Sequence, residues 1–114
     1  MLAKKYRITG SQNFKRVEKE GVVFQSPDFG VAVLDRNDPE HSKFGFVIST
    51  KIAKDATDRN RIRRAMSEAV RMMATEVKPG LDVIFLAKTT ITRSPTDKIM
   101  KDIKTALKEG GLIK

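Results

Sequence analysis

The sequence predicts an α+β fold, a single αβββαβα sandwich built on one mostly antiparallel four-stranded sheet with helices packed on it. Three observations carry this. Three segments repeat their apolar residues at helical spacing. Four short segments read as apolar strands. Finally, turn residues punctuate the chain between them, with no internal repeat, low-complexity tract or linker among its 114 residues.

The first helix is SQNFKRVEKEG, with Ser11 as N-cap and Gly21 as the C′ residue. Phe14 and Val17, three apart, share its inward side. Strands follow at VVF (22–24), GVAVL (30–34) and KFGFVIST (43–50). The last alternates Phe44, Phe46 and Ile48 against Gly45, Val47 and Ser49. The turn cluster DRNDPEHS between the second and third predicts a hairpin connection. A second helix is expected from about Thr57 to Thr75, with Ile62, Met66, Ala69, Val70 and Met73 forming one stripe. Asn60, Arg63, Arg64, Ser67 and Arg71 gather on its opposite side. LDVIFLA (81–87) is nearly all apolar, as a strand covered on both faces should be. The third helix starts at Ser94-Pro95-Thr96-Asp97, with Ser94 as N-cap and Pro95 at N1. It buries Ile99, Ile103, Ala106 and Leu107, and Gly110-Gly111 ends it.

A chain of this length suits one domain, residues 1–114. Its 39% apolar and 32% charged residues describe a small globular domain with a busy surface. No apolar run approaches the roughly 18 residues that would cross a bilayer. The basic start MLAKKYRITG lacks the apolar block of a signal peptide. With no cysteine, disulfide and thiolate chemistry are excluded, and a cytoplasmic location is expected. The lone histidine, His41, sits in a turn, and no GxSxG turn offers it a serine. Asp35, Asp38 and Glu40 cluster only within that turn, as solvated loop residues. Glycine-rich phosphate cradles are missing. On its chemistry the chain is a binder without a catalytic site of its own.

The net charge of +9 points to a polyanionic partner. It is concentrated in residues 1–20, 51–71 and 88–114, each carrying +4, while the strand segments are nearly bare. The densest block is DRNRIRRAMSEAVR at 58–71. Over 51–71 five arginines and two lysines face three acids, and only Glu68 is placed to pair, with Arg64. Arginine's planar fork suits phosphate, and Arg59 and Arg61 stand at the helix start, where free N–H groups and the dipole welcome an anion. A solvated basic face is the plainer alternative, and an anionic membrane surface another. Lipid would want bulky apolar residues beside the charge, where this helix has Asn60 and Ser67. An RNA-binding module of ribosome-associated type also remains open.

Arg59-Asn60-Arg61-Ile62-Arg63-Arg64, after Ser49-Thr50-Lys51 and before Glu68-Ala69, resembles the RNR motif of the bacterial ribonuclease P protein subunit. The order Arg7-Ile8, Asn13-Phe14, Val17, Gly21, Phe44-Gly45, Pro79-Gly80-Leu81-Asp82 and Gly110-Gly111-Leu112 extends the resemblance over nearly the whole chain. It implies a left-handed crossover around the second helix. It also implies partnership with a catalytic RNA that removes the 5′ leader of precursor tRNA, with Mg2+ held mainly by that RNA. Carried over, Lys51, Lys54, Arg59, Asn60, Arg61, Arg63 and Arg64 contact the catalytic RNA. Phe14, Arg7, Ser49, Ser67 and Arg71 line the leader-binding cleft. Glu18 and Ala32 stand where the family often has large or aromatic residues, so leader contacts are expected to be weaker or differently ordered.

Overall fold

The computed structural model describes residues 2–114. Its helices are α1 (Ser11–Glu20), α2 (Ala56–Met73) and α3 (Thr96–Glu109), and its strands β1 (Val22–Gln25), β2 (Phe29–Asp35), β3 (Lys43–Val47) and β4 (Leu81–Ala87). Short 3-10 turns cover Lys4–Tyr6 and Thr89–Arg93. The predicted order of elements holds throughout. The sheet runs β1-β2-β4-β3, with β1/β2 and β2/β4 antiparallel and β4/β3 parallel.

That order overturns one expectation: β2 and β3 do not form a hairpin, because β4 lies between them. The reason is burial. Leu81 through Phe85 are all buried, and so apolar a strand is satisfied only in the middle of a sheet. The DRNDPEHS turn serves instead as a bridge past β4. Arg36 holds it by donating to Asp38 Oδ2 at 2.9 Å, to the Asp82 carboxylate on β4 and to the His41 carbonyl at 2.9 Å. The Arg36 guanidinium holds the Asp38 carboxyl below its ordinary value.

Alternation splits the apolar residues between the two faces of the sheet. Phe29, Val31, Phe44, Val83 and Phe85 face the back, where α2 and α3 supply Ile62, Met66, Val70, Ile99, Ile103 and Leu107. Ala32 and Ile84 face the front, under Val17 of α1 and Ile8. Every residue predicted for the stripes of α2 and α3 is buried.

Helix boundaries depart from expectation where a side chain finds a better partner. Gly10, at φ +84°, is the N-cap of α1 in place of Ser11, and Gly21 closes the helix in extended backbone. Ser94 does not cap α3: its hydroxyl donates to the buried Asp28 carboxylate at 2.5 Å, and Pro95 takes the N-cap position. Lys98 Nζ lies 3.1 Å from the same carboxylate. Burial raises the Asp28 pKa, but the hydrogen bonds from Ser94 and Lys98 outweigh it and hold it below the usual 3.8. A depressed carboxylate stabilises the fold above its unfolded pKa and loses that contribution as pH falls through the folded value. Asp28→Asn is therefore expected to cost about 1–3 kcal/mol at pH 7. Urea titrations should show the difference from wild type shrinking below about pH 4. A difference independent of pH would contradict this role.

Candidate nucleic-acid interface

The arginine block lies on α2, whose start is set by Asp55: its carboxylate accepts from the Thr57 N–H at 2.9 Å. Asp58 adds a second acid to the first turn. This corrects the expectation of an anion site at the helix start, since two carboxylates already satisfy that end. Arg59 and Arg61 are not free there either. Arg59 Nη1 donates to the carbonyls of Ala53 (2.8 Å) and Lys54 (2.9 Å). Arg61 reaches across to Ser94 (3.0 Å) and Thr92 (3.2 Å), tying α2 to the chain leading into α3. Carbonyl partners orient a guanidinium without cancelling its charge, so both residues still contribute full positive potential.

Further along, Asn60 and Arg64 are exposed and Arg63 is half-buried, with one long contact from Arg63 to Asn60 Oδ1 at 3.5 Å. Lys51 and Lys54 are exposed on the approach to the helix. Among the described residues none of these six cations forms an ion pair; the pairs lie elsewhere. Glu68 pairs with Arg71, not with Arg64 as the spacing suggested, and Arg71 holds its carboxyl below the ordinary value. The result is unneutralised charge along α2 and the chain leading into it, the arrangement that tracks a phosphate backbone.

The front face is built differently. Phe14 of α1 lies half-buried against Gly45, where a Cβ would stand 2.6 Å from its Cε1 and 2.7 Å from its Cζ. Gly45→Ala therefore forces the ring aside. Thermal melts should register a loss of about 1–2 kcal/mol, as overpacking does. Beside Phe14, Val47 and Leu86 are half-buried against the small front-face core. Together they form a partly exposed apolar surface beside α1, with Ser49 exposed just past the end of β3. Arg7 is exposed at the other end of β3, bridged through its backbone to Phe44.

The proposed cleft set does not assemble as one group. Ser67 and Arg71 belong to α2, on the opposite side of the sheet from Phe14. Ser67 is buried, its hydroxyl donating to the Arg64 carbonyl at 3.2 Å, and Arg71 is engaged by Glu68. A helical wheel placed Ser67 among the polar residues, but α2 is covered on more than its apolar stripe. Ala32 is buried under α1 and Glu18 is exposed on it. His41 is exposed in its turn, its ring edge-on to Tyr6 at 5.4 Å.

Sequence reasoning also missed a groove of about 790 Å³ between α2 and α3, to which Thr96 and Met100 of α3 contribute. It depends on how two helices distant in sequence lie side by side, which no local pattern reports. Among the described residues, no group of three or more His, Asp or Glu is placed to hold a metal ion.

Comparison with known proteins agrees with this architecture. The family model described as Ribonuclease P matches residues 2–110. The ribonuclease P protein component of Clostridioides difficile is 35% identical over 97 residues, covering 84% of this chain and 80% of its own. That of Synechocystis is 26% identical over 112 residues, covering 98% and 90%. The RNase P protein of Staphylococcus aureus superposes with a TM-score of 0.88 at 25% identity, over 97% of this chain and 100% of that one. The Thermotoga maritima protein, at 22% identity and a TM-score of 0.79, shares the fold over 90% and 96% of the two chains. An unneutralised RNR helix on this sheet, matched along almost its whole length, places the chain in the ribonuclease P protein family, the protein component of the ribonucleoprotein that processes tRNA.

Proposed function

We propose that the two faces of the sheet divide the work of this subunit between the two RNAs it meets. On the back, Lys51, Lys54, Asn60, Arg63 and Arg64 dock onto the ribonuclease P RNA, with Arg59 and Arg61 stiffening the helix while adding charge. On the front, the cleft of Phe14, Val47, Leu86 and Ser49 receives the single-stranded 5′ leader of precursor tRNA. The observation that carries this reading is the separation itself. Unpaired cations lie on α2, and a half-buried aromatic beside apolar sheet surface lies across the molecule. Charge suits structured RNA, and an aromatic platform suits unstacked bases.

Ser67 and Arg71 fall outside the leader cleft in this reading. Magnesium is assigned to the RNA partner in this reading, which is supported by the buried acids being spent on Arg36, Ser94 and Lys98. The setting is the cytoplasm, where tRNA precursors are made; no helix among the described residues is long and apolar enough to cross a membrane.

The test is cleavage of a precursor tRNA by a bacterial ribonuclease P RNA at low magnesium, with and without this protein. Strong stimulation is expected. Lack of stimulation while the protein still binds the RNA would leave a general RNA-binding sandwich. For the leader, Phe14→Ala is expected to weaken binding of a precursor with a leader about 5- to 50-fold, leaving mature tRNA unaffected, by loss of one stacked base. Equal effects on both substrates would place Phe14 in packing alone.

A further inference from the structure

The groove between α2 and α3 has a composition unlike a solvated helix junction. Buried Ala65 and half-buried Met100 give it an apolar floor, and Asn60, Arg61 and Arg64 stand along it. Its one acid, Glu68, is locally neutralised by Arg71. A volume of about 790 Å³ lies within the range of sites that take small organic groups.

Arg61 is the unusual member. Its Nη1 and Nη2 both donate to carbonyls, Ser94 and Thr92, so the guanidinium is held in place by its edge. Hydrogen bonds in that plane engage only its edge, and a guanidinium face is a stacking partner for a nucleobase. Arg64, exposed and without an acidic partner among the described residues, is free to meet the phosphate of the same nucleotide. The Asn60 amide offers a donor and an acceptor to a base edge.

We infer that this groove takes up one unstacked nucleotide of the ribonuclease P RNA, its base lying between the Arg61 guanidinium and the Met100 thioether. The inference rests on α2 being the helix that docks on that RNA, and it adds how the RNA is gripped. Charge alone would bind any polyanion; an anchored base ties the helix to an RNA position that can splay a nucleotide out.

Methionine-methyl NMR tests it on the intact protein, which has five methionines. Met100→Leu, nearly equal in volume, identifies the Met100 resonance. On adding a bacterial ribonuclease P RNA, that methyl should move upfield in the ring current of the stacked base, while buried Met66 stays in place. In parallel, Arg61→Lys keeps the charge and loses the plane. It should bind on the order of tenfold more weakly with an unchanged log–log salt slope. A complex that forms with the Met100 methyl unmoved overturns the inference, whatever Arg61→Lys does. Failure of the wild-type protein to bind the RNA even at low salt would instead remove the docking reading beneath it.

Discussion

Replacing Arg63 and Arg64 together with alanine is expected to lower the magnitude of the log–log salt slope of RNA binding by about 1.4–1.8, the counterions released by two phosphate contacts. At 0.1 M salt the same loss corresponds to roughly 25- to 60-fold weaker affinity. The magnitude follows from what these side chains do not do. Among the described residues Arg64 is exposed with no ion pair and Arg63 has one long side-chain contact, with Asn60, so neither ties α2 to another element by a polar contact. Arg59 is the contrast: it holds the Ala53 and Lys54 carbonyls, and its replacement would mix a structural loss with an electrostatic one. Filter binding from 50 to 300 mM salt, with circular dichroism to confirm folding, measures the effect. A double variant with the wild-type slope would remove phosphate contact from this face.

Truncating Phe85 to alanine is expected to cost about 3–5 kcal/mol. That is a large share of the roughly 5–15 kcal/mol that holds a small domain together. Phe85 is fully buried at the centre of β4. Its ring meets Phe29 edge-on at 5.9 Å and stacks on Phe46 at 5.8 Å. The core layer that contains it also seats α2 and α3, so its loss should loosen α2 as well as the sheet. Urea denaturation measures the first effect. RNA affinity at 25 and 37 °C measures the second, with the deficit growing at the higher temperature. A loss below about 1 kcal/mol would mean that the cavity collapses and neighbouring rings refill it.

The two residue sets fared differently when the chain folded. The residues proposed for the catalytic RNA lie mostly on one helix, so spacing alone brought Asn60, Arg63 and Arg64 together, and the structure keeps them there. The cleft residues come from α1, the ends of β3 and α2. A wheel drawn on α2 could not tell that Ser67 would be covered or that Glu68 would turn to Arg71. Nor could it foresee that Arg61 would spend its donors on the carbonyls of Thr92 and Ser94, which lie more than thirty positions away.

By itself the sequence determined the kind and order of the α-helices and strands, the buried stripes of α2 and α3, and the basic character of the exposed helix. These follow from periodicity and local composition, which act within a turn or a strand and need no knowledge of the rest of the chain. Only the tertiary structure decided that β4 separates β2 from β3, that Asp28 captures Ser94 and Lys98, and that a groove opens between α2 and α3. Each of these is settled by competition among distant partners for burial and for hydrogen bonds. A strand apolar on both faces takes the middle of the sheet, and a buried carboxylate takes whichever donors arrive.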